Sequence, residues 1–409
     1  MNWWLLSPEI TLAVFAIAVI VLDMVVKRKG VLAAVSVIGL LAAMAFAVSL
    51  WDKVGVTTLN GMLVIDRFSL FFQLFFPAVA VLVVLASADY ASRFSRFQGE
   101  YYALILLATT GMMFLASTSE LISIYISLEL MSLSLYALAA FLRDPKSSEA
   151  GLKYLLLGAV ASAVLLYGLA LTYGITGTTH LGGVAAAVKG LGSAADNPAL
   201  VLAVVFIIAG FGFKIASVPF QMWVPDVYEG APTPITAFLS VASKAAGFAV
   251  LLRLFTAAFP APAWLSQDWG MVFAVLSAIT MTVGNIVALS QTNIKRLLAY
   301  SSIAHAGYIM MGLAALGVAG SKGLGQNGIL FYLVAYGVTN LGAFIAVIAI
   351  SHHLDSDLIN DYSGMSRRSP LLAAALALSL VSLTGLPVTA GFWAKIYLFN
   401  AAVQEGLLW

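Results

Sequence analysis

The 409-residue sequence contains no cysteine. Disulfide bonds, thiolate-ligated iron–sulfur clusters and cysteine-based zinc sites are therefore excluded within this chain. Histidine is also scarce, with four residues, of which only His305 is predicted at membrane depth. A bis-histidine haem needs two facing histidines inside the membrane, so we do not expect this chain to carry electrons itself.

Charged residues are few as well. They make up 9% of the sequence, against 62% hydrophobic residues, and the mean hydropathy is +1.01. A water-soluble globule needs far more polar surface than this, so the composition predicts an integral membrane protein. The net charge of +2 comes from basic residues spread along loop edges and gives no indication of a nucleic-acid partner.

Apolar stretches of membrane-spanning length recur about twelve times. A helix crosses about 30 Å of hydrocarbon at about 1.5 Å per residue, so this pattern predicts an all-α polytopic bundle and excludes a β-barrel. The predicted spans are 5–26, 31–50, 68–88, 102–117, 121–142, 152–173, 200–224, 233–259, 271–290, 297–318, 329–351 and 371–400.

Basic residues are distributed unevenly between alternate loops. An outer N-terminus puts eleven of them in cytoplasmic loops and four in outer loops, and this asymmetry predicts that orientation. The first apolar run is long enough to be a span and ends in a basic cluster, which argues against a cleavable signal peptide. The cytoplasmic set is Lys27, Arg28, Lys29, Arg93, Arg96, Arg143, Lys146, Lys295, Arg296, Arg367 and Arg368, and the outer set is Lys53, Arg67, Lys189 and Lys322.

Two predicted spans contain helix-breaking residues. The seventh has Pro219 five residues after Lys214, and the twelfth has Pro387 eight residues before Lys395. Proline removes a backbone donor and clashes with the preceding turn, so both helices should be interrupted near mid-depth. Ordinary proline kinks are the alternative, but a kink does not require a lysine. Non-helical backbone is expected at 217–220 and 385–390.

Charged side chains inside apolar spans are the main functional candidates. Each costs about 3 kcal/mol or more to place in a bilayer, so each needs a partner or a role. Burial disfavours a protonated lysine and a neighbouring carboxylate favours it, so a glutamate–lysine pair that opens and closes moves a proton. The candidates for a proton relay are Glu129, Lys153, Lys214, Lys244, His305 and Lys395.

Two charged groups have competing interpretations. Lys153 lies in the first turn of its predicted span and either takes part in the relay or reaches the cytoplasmic interface. Arg253 does not release its proton and is predicted to be structural.

Polar residues also recur at helical spacing around these charges. Tyr125, Glu129 and Ser132, followed by Tyr136, share one face of the fifth span. A polar face on an apolar helix contacts protein or internal water, so such faces are expected to line a hydrated axis at mid-depth. The other stripes are Ser240, Lys244 and Gly247; Ser301, His305 and Tyr308; and Tyr332, Tyr336 and Asn340.

Three segments resemble the antiporter-like subunits of respiratory complex I, the proton-translocating NADH:quinone oxidoreductase. They are residues 212–234, which begin Gly-Phe-Lys-Ile-Ala-Ser-Val-Pro, residues 295–307 and residues 384–395. They occur in the order typical of that family, and the resemblance covers the whole chain. Lys395 makes the N-type subunits the most similar, because the M-type has a glutamate there.

The resemblance implies a fold and roles for the candidates. The fold is a bundle with two inverted five-helix repeats, each containing a broken helix, and the implied divisions are an N-terminal three-helix segment at 1–100, a first repeat at 101–259 and a second repeat at 270–409. Glu129 and Lys214 would be the coupling pair, Lys244 the central relay and Lys395 the terminal lysine. The secondary participants would be Lys153 and His305.

The resemblance also implies partners and a location. No cofactor is expected in this chain, whereas FMN, iron–sulfur clusters and quinone are expected in partner subunits. Those partners would be other complex I membrane subunits, including antiporter-like neighbours, in a bacterial-type plasma (inner) membrane. N-type subunits usually continue for about two more helices, so the second repeat is expected to lack its last helix, either because the sequence is incomplete or because a neighbouring protein completes that side.

Three functions follow from these patterns. The first is a proton-translocating membrane subunit of complex I, driven by quinone reduction in other subunits. The second is a subunit of a cation/proton antiporter or a membrane-bound hydrogenase. The third is a scaffold in which the channel residues have no transport role.

Overall fold

Eleven helices in the described part of the chain are long and apolar enough to cross a membrane. The computed structural model describes residues 3–27, 29–91, 97–194, 196–318, 323–354 and 356–407. The prediction of an all-α polytopic bundle is confirmed.

In chain order the helices are α1 (Ser7–Val25), α2 (Gly30–Ser49), α3 (Arg67–Ala91), α4 (Gln98–Ser117), α5 (Leu121–Ala139), α6 (Pro145–Thr176), α7 (Leu181–Lys189), α8 (Pro198–Ile215), α9 (Val224–Gly230), α10 (Thr233–Phe238), α11 (Lys244–Ala257), α12 (Ala263–Ala288), α13 (Ile294–Leu316), α14 (Leu324–Leu354), α15 (Met365–Arg368), α16 (Pro370–Thr384) and α17 (Ala390–Gln404).

The seventh and twelfth spans are interrupted where the sequence predicts. Between α8 and α9 the chain leaves the helix at Ala216 and passes through a short 3-10 turn, Phe220–Trp223. Between α16 and α17 it is non-helical over 385–389. The twelfth span is thus two helices of 15 residues each rather than one.

The two interruptions have the same backbone geometry. Ala216 and Gly385, each the first residue after its helix, have φ values of +64° and +82°. The next amide reaches back five residues in both cases, from Ser217 to Gly212 and from Leu386 to the carbonyl of Val381. This is the Schellman termination, which satisfies carbonyls that the helix end leaves free. Both broken helices therefore end in a defined cap.

Two helices, α6 and α12, begin well before the spans that the sequence pattern predicts. α6 starts at Pro145, seven residues before the predicted span, and the side chain of Asp144 caps it by accepting a hydrogen bond from the Ser147 amide. An acidic N-cap followed by proline is a helix-start signal that hydropathy alone misses. As a consequence Lys153 lies in the third turn of its helix and not in the first. α12 likewise begins at Ala263, after Pro262.

The eighth span forms the centre of the bundle. Residues 233–252 are all buried, across α10, a π-helical turn at Leu239–Ser243 and the first part of α11. A π-turn inserts an extra residue into a helix and often marks a functional site. Here it immediately precedes Lys244, so a buried lysine lies next to the irregular turn of the central span.

Polar loops gather at the two ends of the bundle. At one end the start of α6, the α9–α10 junction and the start of α13 meet, because Glu229 pairs with Lys146 at 3.7 Å and with Arg296 at 2.9 Å. At the other end a β-hairpin, β1 (Val56–Thr58) with β2 (Leu63–Ile65), contacts the start of α5 through the Ser119 amide and the Met62 carbonyl. Arg28, Arg93, Arg96 and Lys322 of the predicted loop charges lie outside the described residues.

Candidate functional site

Lys214 is buried in the last turn of α8, immediately before the first break. Its side chain is 1% exposed, and its Nζ donates to Ser132 Oγ at 2.6 Å and to Tyr136 OH at 3.1 Å. The ammonium group also lies 5.0 Å from the ring centroid of Tyr136, within cation–π range. The stripe predicted on α5 therefore does face Lys214.

Glu129 does not contact Lys214 directly. Its Oε1 accepts a hydrogen bond of 2.5 Å from Ser162 on α6 instead. No ion pair of the described residues includes Glu129, Lys214, Lys244 or Lys395. Lys214 Nζ donates instead to Ser132, three residues beyond Glu129 on the same helix.

Lys244, the first residue of α11, is held by α13. It is 2% exposed, and its Nζ donates to the carbonyl of Ser302 at 2.8 Å and to the hydroxyl of the same residue at 2.7 Å. The ring centroid of Tyr228 lies 5.8 Å from the ammonium group. No ion pair of the described residues includes Lys244, so its ammonium group is surrounded by the Ser302 oxygens and the Tyr228 ring.

Two buried hydroxyl groups lie near Lys214 and Lys244. The ring of Tyr154 stacks on Trp223 with its centroid 5.8 Å from Lys214 Nζ, and Ser243 immediately precedes Lys244. The hydroxyl oxygens of Tyr154 and Ser243 have no hydrogen-bond partner among the described residues. Buried hydroxyls are normally hydrogen-bonded, and polar sites of this kind accommodate water.

His305 continues the row on α13. Its Nδ1 lies 2.6 Å from Tyr332 OH on α14, and its ring centroid is 5.0 Å from that of Tyr336. The hydroxyl of Tyr336 is buried and has no hydrogen-bond partner among the described residues. His305 lies three residues beyond Ser302, the residue that binds Lys244, and no hydrogen bond of the described residues joins His305 to Lys244.

Lys395 lies on α17, just beyond the second break. Its Nζ donates to the carbonyl oxygens of Leu383 and Thr384, at 3.2 and 2.9 Å, which are the last carbonyls of α16. It also lies 4.6 Å from the ring centroid of Tyr308. A cation at a helix C-terminus interacts favourably with the helix dipole. His305, Tyr308 and Lys395 line one cleft of about 670 Å³.

A second polar connection runs from the central span to the second break. Asn340 on α14 donates to Ser240 in the π-helical turn at 2.6 Å. Its neighbour Thr339 lies 3.3 Å from Ser382 on α16, and the Ser382 hydroxyl accepts a hydrogen bond from the Gly391 amide. The sequence pattern included Asn340 but not Thr339 or Ser382.

The other two candidates lie apart from this row. Lys153 is partly exposed and pairs with Glu149 at 2.7 Å and with Asp226 at 2.6 Å, at the end of the bundle where Arg296 binds the same aspartate. The structure does not bring it to Lys214. Arg253 binds both carboxylate oxygens of Asp66 at 2.9 Å, in agreement with a structural role.

Comparison with known proteins identifies the family. A family model described as NADH:quinone oxidoreductase/Mrp antiporter, TM, matches residues 118–409. NADH-quinone oxidoreductase subunit N from Dehalococcoides mccartyi is 50% identical over 409 residues, which cover 99% of this chain and 84% of the relative. The chain belongs to the NADH-quinone oxidoreductase subunit N family. The resemblance found in the three sequence motifs is thereby confirmed.

Two further comparisons agree with membership of the subunit N family. The protein of the same name from Heliobacterium modesticaldum is 46% identical and covers 100% of this chain and 84% of the relative. A chain in the structure of respiratory complex I from Thermus thermophilus with bound Aureothin superposes with a TM-score of 0.79 at 37% identity, over 98% of this chain and 83% of that chain. The fold is accordingly that of a complex I membrane subunit.

Proposed function

We propose that this chain is a proton-translocating membrane subunit of an NADH:quinone oxidoreductase, with Glu129, Lys214, Lys244, His305 and Lys395 as its proton relay. The observation that carries the proposal is that three lysines, one at each break and one at the π-turn, donate to hydroxyl or carbonyl oxygens and form no ion pair with a carboxylate of the described residues. Irregular backbone at membrane depth is tolerated only inside protein or next to water, which fits a path at these points.

Lys153 has a different place in this proposal. Its ion pair with Asp226 joins α6 to α9, so we assign it to the positioning of the half-helix that follows the first break. Proton movement would be coupled to quinone reduction in partner subunits, which would hold FMN, the iron–sulfur clusters and the quinone. Antiporter-like subunits of the same complex would be neighbours in the membrane.

The two matched breaks support an inverted-repeat organisation, with 1–100 as an N-terminal segment, 101–259 as one repeat and 270–409 as the other. Broken helices at corresponding places of two repeats are typical of transporters. We also propose that the end of the bundle formed by Lys146, Glu229 and Arg296 faces the cytoplasm, which leaves the N-terminus outside. The clustering of these predicted cytoplasmic residues supports that orientation.

Lys244→Met tests the relay. The variant keeps the length and apolar volume of the side chain but cannot carry a proton. We expect the complex to assemble, with NADH-driven proton uptake into inverted membrane vesicles reduced at least several-fold. Lys189→Met, at an exposed position in the last turn of α7, is the matched control. Normal pumping by Lys244→Met would remove this lysine from the relay.

An antiporter role is the second candidate, because the matching family model includes Mrp antiporters. Purification of the native complex separates the two. Association with a flavin- and iron–sulfur-containing arm that oxidises NADH supports the complex I role, and its absence together with cation/proton exchange supports the other.

A further inference from the structure

A second buried carboxyl group lies outside the proposed relay. Glu9, in the first turn of α1, is 2% exposed, and Gln73 on α3 and Ser117 at the end of α4 are 0% and 1% exposed. Gln73 Nε2 donates to Glu9 Oε1 at 2.7 Å and also approaches Ser117 Oγ at 3.3 Å. These three residues join three helices near the end of the bundle that carries the β-hairpin.

The remaining oxygen of each side chain is buried without a partner. Glu9 Oε2 and Gln73 Oε1 accept no hydrogen bond from any described residue. Both oxygens of an ionised carboxylate are hydrogen-bond acceptors, and the amide oxygen of glutamine is an acceptor as well. Glu9 Oε2 and Gln73 Oε1 therefore cannot bond to each other while Glu9 is ionised. A carboxylic acid differs, because its O–H is a donor. One proton on Glu9 provides the donor that this buried pair lacks.

We propose that Glu9 is a proton-binding site, held as a neutral carboxylic acid that pairs with the Gln73 amide. In this arrangement the amide N–H donates to the acid carbonyl and the acid O–H donates to the amide oxygen, so that one side chain satisfies the other. The proton is a fixed part of the packing of α1 on α3, and it does not take part in transport.

Among the described residues no cation forms an ion pair with Glu9. The charged groups at this end of the packed elements are Asp52 and Lys53 after α2, Asp66 and Arg67 at the start of α3, and Arg253 on α11. Arg253 is engaged by both oxygens of Asp66 and by the Ala116 carbonyl, and Lys53 and Arg67 are exposed. No ion pair of the described residues includes Glu9. A buried carboxylate without a counter-charge is strongly disfavoured, which leaves the neutral acid.

Infrared spectroscopy of the assembled complex tests the assignment. The difference spectrum between the wild type and Glu9→Gln at neutral pH should contain the carbonyl band of a protonated carboxyl group, with the isotope shift of an exchangeable O–H in D2O. The double variant Glu9→Gln with Gln73→Glu exchanges acid and amide and should restore such a band. A carboxylate band in place of the acid band would overturn the proposal.

Two further variants separate the proton from simple packing. Glu9→Gln retains a complementary amide pair, so we expect normal amounts of assembled complex and normal proton pumping. Glu9→Leu leaves both polar groups of Gln73 without this partner, so we expect the amount of assembled complex to fall several-fold. A Glu9→Gln complex that assembles normally but no longer pumps would show that the proton leaves during turnover, and this outcome also contradicts a fixed proton.

Discussion

Lys214 Nζ donates a 2.6 Å hydrogen bond to Ser132, which lies three residues beyond Glu129 on the same helix. Since Glu129 is bonded to Ser162 instead, the serine separates the two charges. A rotamer change of either charged side chain would be needed to bring them into direct contact. The arrangement fits a pair that opens and closes, with Ser132 bound to the lysine in the open state.

We therefore expect Lys214→Ala and Glu129→Ala to lower NADH-driven proton pumping to a similar degree while the complex still assembles. Each substitution removes one of the two groups between which the proton would be shared. The remaining group, a half-buried Glu129 or a buried Lys214, then lacks its proton-sharing partner. Proton uptake and NADH:quinone turnover in membrane vesicles measure the effect. Normal values for both in Glu129→Ala would remove the glutamate from the mechanism.

Ser132→Ala tests the role of the serine that binds Lys214 in place of Glu129. The variant removes the shorter of the two hydrogen bonds to Lys214, a bond to a charged group that is worth about 1.5–3 kcal/mol, so we expect pumping to fall several-fold. Ser134→Ala is the matched control, because among the described residues the Ser134 hydroxyl bonds only to the Leu130 carbonyl of its own helix. Equal pumping by the two variants would contradict a specific role for Ser132.

The sequence predicted the elements that depend on local signals. Hydropathy identified the spans, and proline with glycine identified both breaks, since these residues act on the backbone wherever they occur. The helix-face spacing also placed Ser132 and Tyr136 opposite Lys214, as the structure shows.

The features that the sequence missed depend on contacts between distant segments. For Lys153 the sequence left a relay role and the cytoplasmic interface both open, and only the fold brings Asp226 to Lys153 and Ser302 to Lys244. The π-helical turn before Lys244 contains no proline or glycine from which the sequence could have predicted it. Periodicity assigns residues to faces but does not determine what each face contacts, so the partners of the relay residues required the structure.

The Asp66–Arg253 pair gives a pH dependence of stability. Burial raises the pKa of Asp66, whereas the hydrogen bonds and the positive charge of Arg253 lower it. The lowering is larger, so the pKa lies below the ordinary value of 3.8. A lowered folded-state pKa stabilises the fold above the ordinary value, and this contribution is lost as the pH falls through the folded-state value. Asp66→Asn should therefore be less heat-stable than the wild type at neutral pH, with a difference that shrinks below about pH 3.8.

Thermal unfolding of the purified complex over a range of pH values measures this difference. Asp52→Asn, at an exposed position, is the control and should be indistinguishable from the wild type throughout. A destabilisation of Asp66→Asn that stays constant down to strongly acidic pH would mean that packing, and not the carboxylate charge, accounts for it.

Gly391 allows the close approach of α17 to α16. A Cβ atom at this position would lie 1.8 Å from the carbonyl oxygen of Ser382, so Gly391→Ala must push the helices apart. Overpacking of this kind costs about 1–3 kcal/mol, and here it displaces Lys395, which lies one turn further along α17. We expect lower pumping and less assembled complex. Gly182→Ala, where no atom lies within 4 Å of the added Cβ, is the control and should have no effect on either quantity.

Lys395 has two interpretations that one substitution separates. Its Nζ binds the last carbonyls of α16, where a permanent positive charge would already stabilise the helix end. A relay group must also release its proton, and moving one proton against a 100 mV potential requires about 2.3 kcal/mol, so the handovers must be closely matched in free energy. Arginine keeps the charge but does not release a proton at working pH.

Lys395→Arg should therefore lose proton pumping as completely as Lys395→Ala, because both variants remove the proton exchange and only the second also removes the charge. The amount of assembled complex distinguishes the two contributions. We expect it to be nearly normal in Lys395→Arg and lower in Lys395→Ala, since only arginine can still donate to the Leu383 and Thr384 carbonyls. Full pumping by the arginine variant would show that Lys395 acts as a fixed charge at the second break, and the relay would then have to end at His305.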